Sequence, residues 1–232
     1  MNYKVVILTA GVGKRIGSWG EVFNKALLPV NFKPVICQII DKFPTDVEII
    51  LAVGYKKEQI TTYLTTVYPH RKLAFVDVEK YTGEGSGPGY SLLKCKPHLQ
   101  CPFIFYAVDT IVTDPVPEPS NNWYGVAEVK DTLRFCSCKV DEQNKIVRID
   151  DKNKNDNTLA FIGLAGVHEY DIFWRSLEKN ITLIGGELQV SNGFLGLMHS
   201  QSGMYAQTFT WLDTGTQEEY NRTKEYFKTR QF

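Results

Sequence analysis

The sequence predicts an α/β fold with a mixed, mainly parallel central sheet, and two observations support this prediction. In the first half of the 232-residue chain, short apolar runs alternate with segments of helical spacing, which is the pattern of parallel strands joined by covering helices. In the second half, strand-like runs follow one another without long helices between them, so we expect a mixed sheet. The apolar fraction of 43% is sufficient for a real core.

The elements of the first half are predicted from apolar periodicity. Apolar runs bounded by turn residues indicate strands, and apolar residues recurring every three or four positions indicate helices. Segment 57–68 is an example, because Ile60, Leu64 and Val67 fall on one face of a helix. The predicted strands are 5–8, 47–53, 73–78 and 102–108, and the predicted helices are 34–43 and 57–68.

The same periodicities define the elements of the second half. Residues 141–144, Asp-Glu-Gln-Asn, lie between two strand-like runs and predict a hairpin turn. Neither an internal repeat nor a low-complexity linker interrupts the chain, so we expect one domain over residues 1–232. The predicted strands are 123–129, 135–140, 146–149, 160–167 and 205–210, and the predicted helices are 170–177, 188–199 and 217–228.

The composition argues against several classes of function. Lys and Arg number 26, as do Asp and Glu, so the chain has no bulk electrostatic attraction to nucleic acid or to a membrane surface. The sequence has neither a charged-then-apolar leader nor an apolar stretch approaching 18 residues. Five cysteines without a CxxC pair indicate reduced thiols. We therefore expect a cytoplasmic protein that binds neither nucleic acid nor membranes.

The first thirty residues predict a site for a polyphosphate. After the apolar run 5–8, Gly11 and Gly13 leave backbone N–H groups accessible to phosphate oxygens, and Arg15 and Lys25 add two cations. A P-loop is excluded because Gly13-Lys14 is followed by Arg15 and not by Ser or Thr. The dinucleotide-binding fingerprint is excluded because its third glycine would fall on Ile16.

Several motifs then occur in an order that resembles one known family. Residues 8–15 read LTAGVGKR, residues 25–30 read KALLPV, and a helix is expected from Pro34. This order resembles the nucleotidyltransferase superfamily, which includes sugar-1-phosphate nucleotidyltransferases and phosphocholine-type cytidylyltransferases. Asn24 stands where that motif usually has a proline, and residues 19–23 replace its usual Pro and Thr. Further similar segments are 53–58, 85–92, 108–110, 149–152, 186–192 and 211–216.

The resemblance implies both a fold and a reaction. The fold would be a single Rossmann-like, three-layer α/β/α domain of the GT-A-like nucleotidyltransferase type, with a nucleotide-binding half (1–115) and an acceptor-binding half (116–232). In the reaction, an acceptor phosphate attacks the α-phosphorus of a nucleoside triphosphate and pyrophosphate leaves. A sugar 1-phosphate is the favoured acceptor, which would give a nucleotide sugar for surface-polysaccharide (capsule) assembly. We expect a monomer or a homodimer.

Four charged residues occupy positions that the resemblance marks as catalytic. Arg15 would neutralise the β- and γ-phosphates, and Lys25 would contact the α-phosphate or the attacking oxygen. Asp109 and Asp213 each follow a predicted strand and would together bind Mg²⁺, the expected cofactor. We expect these four side chains to meet at one edge of the sheet.

The other predicted site residues divide between the two substrates. The nucleotide-binding residues would be Leu8, Ala10, Gly11, Gly13 and Gly87. The acceptor-binding residues would be Lys152 (or Lys154 in its place), Gly166, Glu187 and Asn192. Members that use uridine or thymidine triphosphate often carry a glutamine before a glycine segment, which corresponds to residues 85–92 here. This chain has Glu84 in that region. A glutamate can accept a hydrogen bond from an exocyclic amine, which favours CTP.

Three alternatives remain open from the sequence. One is a CTP-dependent cytidylyltransferase acting on phosphocholine, a phosphonate or another non-sugar phosphate, and Asn192, in place of the family's Asp, keeps it open. The second alternative is a glycosyltransferase of related fold. Such enzymes usually carry a DxD motif, and Asp109-Thr110-Ile111 of this chain is not one. A non-catalytic nucleotide sensor would be expected to lack one of the four charged residues. We expect a minimal enzyme with a single activity.

Overall fold

The computed structural model describes residues 2–151 and 156–230, and it confirms an α/β fold built on a mixed sheet. The strands are β1 Lys4–Leu8, β2 Pro29–Val30, β3 Lys33–Pro34, β4 Glu48–Val53, β5 Leu73–Asp77, β6 Phe103–Ala107, β7 Thr110–Val112, β8 Trp123–Glu128, β9 Cys136–Val140, β10 Ile146–Asp151, β11 Leu159–Val167, β12 Leu183–Ile184, β13 Glu187–Leu188, β14 Tyr205–Thr208 and β15 Trp211–Asp213. The α-helices are α1 Ser18–Val22, α2 Val35–Ile40, α3 Lys57–Val67, α4 Pro88–Cys95, α5 Tyr170–Lys179, α6 Ser191–Met198 and α7 Gln217–Lys228.

The main sheet changes character from one side to the other. Its strand order is β10-β9-β11-β6-β1-β4-β5, and β8 joins β11 and β14. Strands β6, β1, β4 and β5 are parallel neighbours, whereas β11 runs antiparallel to β6, β8 and β9. The parallel block comes from the first half of the chain, whereas the second half contributes the antiparallel strands and one further parallel pair, β8 with β14. This is the mixed sheet that the two sequence patterns predicted.

Helices cover both faces of this sheet because alternate residues of its central strand are apolar on both sides. Val5 and Ile7 of β1 belong to the core that contains α2 and α3, and Val6 belongs to the core beneath α4, α5 and α6. A strand buried on both faces has a continuous apolar run, which β1 has. Among the residues that the structure describes, no helix is long and apolar enough to span a bilayer.

Most predicted elements are confirmed, and the differences have local causes. Helix α7 has the predicted bounds, and Asp141 closes the predicted hairpin by accepting hydrogen bonds from the backbone N–H groups of Gln143 and Lys145. The predicted start of helix 188–199 is too early, because 187–188 pair with 183–184 and α6 begins only at Ser191. Helix α4 was missed because glycines flank its first residue, Pro88, although proline is favoured at that position.

Candidate active site

The topology brings both predicted metal-binding carboxylates to one edge of the sheet. Leu8 at the end of β1 is the register partner of Ala107 at the end of β6, so the glycine loop and Asp109 leave the sheet side by side. Strand β15 pairs antiparallel with β7, and Asp213 lies opposite Thr110. The backbone N–H and hydroxyl of Thr214 both donate to the carbonyl oxygen of Asp109, at 2.8 and 3.0 Å. These contacts fix the two aspartates next to each other.

The glycine loop presents its backbone to open space. A side chain added at Gly11 would meet no atom within 4 Å, so this part of the loop faces the cleft directly. Gly13 has a φ of +69°, a left-handed conformation that favours glycine. A Cβ at Gly13 would lie 3.4 Å from Cβ of Lys25, which shows that Lys25 crosses closely over the loop. The loop and the lysine therefore form one surface.

Lys25 and Asp109 form a partly buried ion pair at the centre of the site. Lys25 Nζ lies 2.8 Å from Asp109 Oδ2, and the two side chains are 18% and 22% exposed. Burial of Asp109 raises the pKa of its carboxyl, but the charges of Lys25 and, less strongly, Arg15 outweigh burial and leave that pKa below its usual value. Asp109 is thus held as a carboxylate at neutral pH.

Asp213 is in the opposite electrostatic situation. Burial, followed by the charge of Asp109, raises the pKa of Asp213 to about 6. Its Oδ1 accepts a hydrogen bond of 2.7 Å from the backbone N–H of Gly215. A Cβ added at Gly215 would lie 3.0 Å from Asp213 Oδ1 and 3.3 Å from Asp109 Oδ2, so both carboxylates border the same small space.

The chemistry of these two carboxylates fits a divalent cation such as Mg²⁺. Oxygen donors are the ligands that Mg²⁺ prefers, and a cation between Asp109 and Asp213 would relieve the repulsion that raises the pKa of Asp213. Within 2–151 and 156–230, no three His, Cys, Asp or Glu side chains cluster closely enough to hold a metal by themselves. A metal at this place would therefore need further ligands such as phosphate oxygens or water, which is how Mg²⁺ is usually bound beside phosphates.

Most of the predicted site residues line a single cleft of about 820 Å³. The cleft extends from the glycine loop to the hairpin β12–β13, and it is large enough for a nucleotide-sized ligand. Asp213 borders it through Gly215. The predicted residues in its wall are Leu8, Ala10, Gly11, Gly13, Arg15, Lys25, Gly87, Asp109 and Glu187.

Main-chain hydrogen bonds join two sides of the cleft, the glycine segment 85–92 and the hairpin β12–β13. The N–H of Gly85 donates to the carbonyl of Gly186 at 2.7 Å, and the N–H of Leu188 donates to the carbonyl of Ser86 at 2.8 Å. Gly87 has a φ of +114°, and a Cβ there would lie 2.8 Å from Cβ of Glu187. The glycine segment and the hairpin are therefore in direct contact and form one continuous wall.

Two of the predicted acceptor-binding residues do not line the cleft, and two lie outside the described residues. Gly166 does not face the cleft, because the indole of Trp123 fills the space beside it, 2.1 Å from where a Cβ would lie. Asn192 is buried, and its Nδ2 donates to the carbonyl of Thr182 at 3.1 Å, outside the cleft wall. Lys152 and its proposed substitute Lys154 lie outside the described residues.

Sequence reasoning missed several polar residues of the cleft. Gln189 lines it, and its Nε2 donates to Glu187 Oε2 at 3.3 Å. The available signal was its position two residues after Glu187, inside the segment 186–192 that resembles a family motif. Ser91 lies in the first turn of α4, which the sequence had not identified as a helix. Tyr81 and Thr82 come from a segment without regular structure and carried no signal.

A glycine loop, two cations and paired carboxylates meet at the edge of an α/β sheet, and these are the groups that a site for a polyphosphate requires. The chain is 29% identical over 200 residues to the bifunctional protein GlmU of Methanocaldococcus jannaschii. The aligned segment covers 84% of this chain and 47% of that protein. The chain thus spans about half the length of the curated relatives that it matches. No protein-family model matches it.

Solved structures extend the comparison over nearly the whole chain. A UDP-glucose pyrophosphorylase complexed with UDP-glucose superposes with a TM-score of 0.80 at 17% identity, covering 99% of this chain and 100% of that one. The CTP:phosphocholine cytidylyltransferase of Streptococcus pneumoniae superposes with a TM-score of 0.73 at 21% identity, covering 98% and 100%. The sequence relatives and the solved structures together support the nucleotidyltransferase superfamily for this chain.

Proposed function

We propose that this protein condenses a nucleoside triphosphate with a sugar 1-phosphate to give a nucleotide sugar and pyrophosphate. The ion pair of Lys25 and Asp109, with Asp213 beside it at the mouth of the glycine loop, is the observation that carries the proposal. The relatives named above support this class of reaction. Residues 211–216, WLDTGT, resemble a motif of the sugar-type members of the superfamily, and this resemblance favours a sugar 1-phosphate as the acceptor.

The residues of the cleft are suited to bring together two groups of negative charge. Phosphate oxygens a few ångströms apart repel one another by several kcal/mol at an effective dielectric constant of about 20. The N–H groups of the glycine loop, the fork of donors on Arg15 and the ammonium of Lys25 would offset that repulsion. Because Lys25 lies between the loop and Asp109, it would contact the α-phosphate and hold it in line for attack.

Asp109 and Asp213 would hold Mg²⁺ against the triphosphate. When bound, the ion would neutralise phosphate oxygens and stabilise the charge of the leaving pyrophosphate. Asp109 is ready for this role at neutral pH because Lys25 and Arg15 keep its pKa low. Asp213 would join it above about pH 6, once its carboxyl has lost its proton.

The far wall of the cleft is suited to a small polar acceptor. Glu187 and Gln189 present a carboxylate and an amide there, and such groups bind sugar hydroxyls by hydrogen bonds. A Cβ at Gly185 or Gly186 would meet nothing within 4 Å, so this part of the hairpin leaves open room beside them. These features favour Glu187 as an acceptor-binding residue.

A second candidate is a CTP-dependent cytidylyltransferase for phosphocholine or another non-sugar phosphate. Glu84 lines the cleft beside the glycine segment, where its carboxylate could accept a hydrogen bond from the exocyclic amine of cytosine. The structural likeness to a CTP:phosphocholine cytidylyltransferase agrees with this alternative. Both candidates share the same chemistry at the α-phosphate and differ in acceptor.

Pyrophosphate release would test and separate these candidates. The protein, with Mg²⁺, would be assayed with each common nucleoside triphosphate against glucose 1-phosphate, N-acetylglucosamine 1-phosphate and phosphocholine, with products identified by mass spectrometry. We expect turnover with a sugar 1-phosphate, whereas turnover with phosphocholine and CTP alone would select the second candidate. Failure to release pyrophosphate in any combination would overturn both.

A further inference from the structure

The residue immediately before Lys25 is unusually well fixed. Asn24 is 1% exposed, and its Nδ2 donates to the carbonyls of Thr9 at 3.0 Å and Tyr55 at 2.8 Å. Its Oδ1 accepts a hydrogen bond of 3.0 Å from the backbone N–H of Ala26. A buried amide with partners on both its nitrogen and its oxygen is rigid and costly to disturb.

These hydrogen bonds join three parts of the active site. Thr9 begins the glycine loop after β1, and Tyr55 follows β4, the neighbouring parallel strand. Ala26 is the residue directly after Lys25. The side chain of Asn24 therefore links the backbone next to Lys25 to the ends of strands β1 and β4.

Gln59 of α3 reinforces this arrangement from the outer side. Its Oε1 accepts a hydrogen bond of 2.9 Å from the backbone N–H of Asn24, and its Nε2 donates to the carbonyl of Val22 at 3.0 Å. The segment leading to Lys25 is thus held by amide side chains on both sides.

The backbone at this place has the conformation of a proline, although proline is absent. Asn24 has φ −64° and ψ 133°, and a proline ring fixes φ near −65°. Phe23 has φ −120° and ψ 149°, which are the values that the residue before a proline prefers. The hydrogen bonds of Asn24 thus maintain the backbone conformation that the ring of a proline at this position would impose.

We propose that Asn24 is a positioning residue for Lys25, with Gln59 as its support. The assignment rests on the proposed function, in which Lys25 contacts the α-phosphate. Asn24 itself touches no substrate. It sets the direction from which the lysine crosses the glycine loop and meets Asp109. Displacing a catalytic group by about 1 Å can cost on the order of 10²-fold in rate, so loss of this support should reduce kcat.

Three variants would test the assignment. Asn24→Ala removes the hydrogen bonds, and we expect kcat to fall at least ~10-fold with both KM values within about threefold. Asn24→Pro loses the same side-chain hydrogen bonds, and also the backbone N–H that donates to Gln59, but it imposes the same φ; we therefore expect kcat within about threefold of wild type. Asn122→Ala is the matched control, because Asn122 is also a buried asparagine that bonds to backbone but lies away from the cleft. It should lower Tm and leave kcat within about twofold.

A second measurement is independent of turnover. The rate at which acetic anhydride modifies Lys25, followed by peptide mass spectrometry, reports how firmly its ammonium is held against Asp109. We expect Asn24→Ala to raise this rate at least ~5-fold and Asn122→Ala to leave it unchanged. If the wild type transfers no nucleotidyl group, the proposed function fails, yet this rate still tests the positioning of Lys25.

Several results would overturn the assignment. Near-normal kcat in Asn24→Ala would do so, as would a proline variant that folds but is as impaired as the alanine variant, or an unchanged rate of Lys25 modification. If Asn24→Ala does not fold, Gln59→Ala replaces it, because Gln59 lies nearer the surface on α3. That variant should lower kcat about threefold, and an unaltered kcat together with unaltered Lys25 reactivity would contradict the proposal.

Discussion

The two walls of the cleft are built in different ways. On the side that we propose binds the nucleotide, Asp109 follows the central strand β6, and an ion pair of 2.8 Å holds Lys25 against it. On the acceptor side, the short hairpin β12–β13 carries an exposed Glu187, and the neighbouring Ile181 is 72% exposed. The side that carries Lys25 and Asp109 is built on strands of the core. The other side is a surface hairpin, and main-chain hydrogen bonds hold it to the glycine segment.

This difference matches the two tasks that we propose for the cleft. Transfer at the α-phosphate needs charges fixed in advance, which strand ends and buried contacts provide. Residues that select the acceptor can vary without changing the packing of the core when they lie on a loop. Changes on the nucleotide side should therefore reduce the rate, and changes on the acceptor side should alter the affinity for one substrate.

The largest effect is expected from the ion pair itself. Lys25→Ala or Asp109→Asn removes charge needed in the transition state, so kcat should fall by at least ~10²-fold. Circular dichroism and Tm should show a folded protein. The controls are Lys33→Ala and Asp41→Asn, which break an exposed ion pair outside the cleft and should leave kcat unchanged. A Lys25 or Asp109 variant with near-normal turnover would remove that residue from the mechanism.

A substitution where the walls meet should affect both substrates. Gly87→Ala would place a Cβ 2.8 Å from that of Glu187 and 2.9 Å from the carbonyl oxygen of Leu188, so the walls must separate. We expect kcat/KM to fall roughly 10–30-fold for both substrates, measured by steady-state kinetics. Gly83→Ala is the control, because Gly83 also has a positive φ but a Cβ there would meet nothing within 4 Å. Equal losses in the two variants would argue against a shared wall.

A smaller and selective effect is expected at the acceptor wall. Glu187→Gln keeps the shape of the side chain but removes its charge, which weakens hydrogen bonds from acceptor hydroxyls. The KM for the acceptor should rise about 10-fold while the KM for the nucleoside triphosphate stays within twofold. Glu178→Gln, which alters an exposed glutamate of α5, should change neither value. A higher KM for the nucleotide would assign Glu187 to the other substrate.

The sequence could predict the nucleotide wall because its signals are local. Gly11, Gly13 and Arg15 follow directly on β1, and the strand fixes where they point. The acceptor wall depends on partners that are distant in the chain. Gly166 does not line the cleft because Trp123, on the neighbouring strand, covers it, and no local pattern indicates that contact. Residues 185–188 similarly take their place from hydrogen bonds to the glycine segment.

The last effect is on stability and not on turnover, and it uses the contrast between the two aspartates. Because the pKa of Asp213 is raised to about 6 in the folded protein, the native state keeps a proton that the unfolded chain releases near pH 4. Stability is therefore lost as pH rises from about 4 to 6, and the full cost is present above that range. Asp213→Asn removes this cost, which is about two pKa units at roughly 1.4 kcal/mol each. The metal-free variant should therefore be more stable than wild type by roughly 2–3 kcal/mol at pH 7.5 and equal to it near pH 4.

Urea denaturation in EDTA at the two pH values would measure this difference. Adding Mg²⁺ and a nonhydrolysable nucleotide at pH 7.5 should reverse the order, because ligands that bind only the native state stabilise wild type and bind the variant weakly. An Asn variant that is less stable than wild type in EDTA would mean that the Gly215 hydrogen bond to Asp213 outweighs the repulsion from Asp109. The carboxylates would then be held together without strain, and the argument for a cation between them would lose its electrostatic basis.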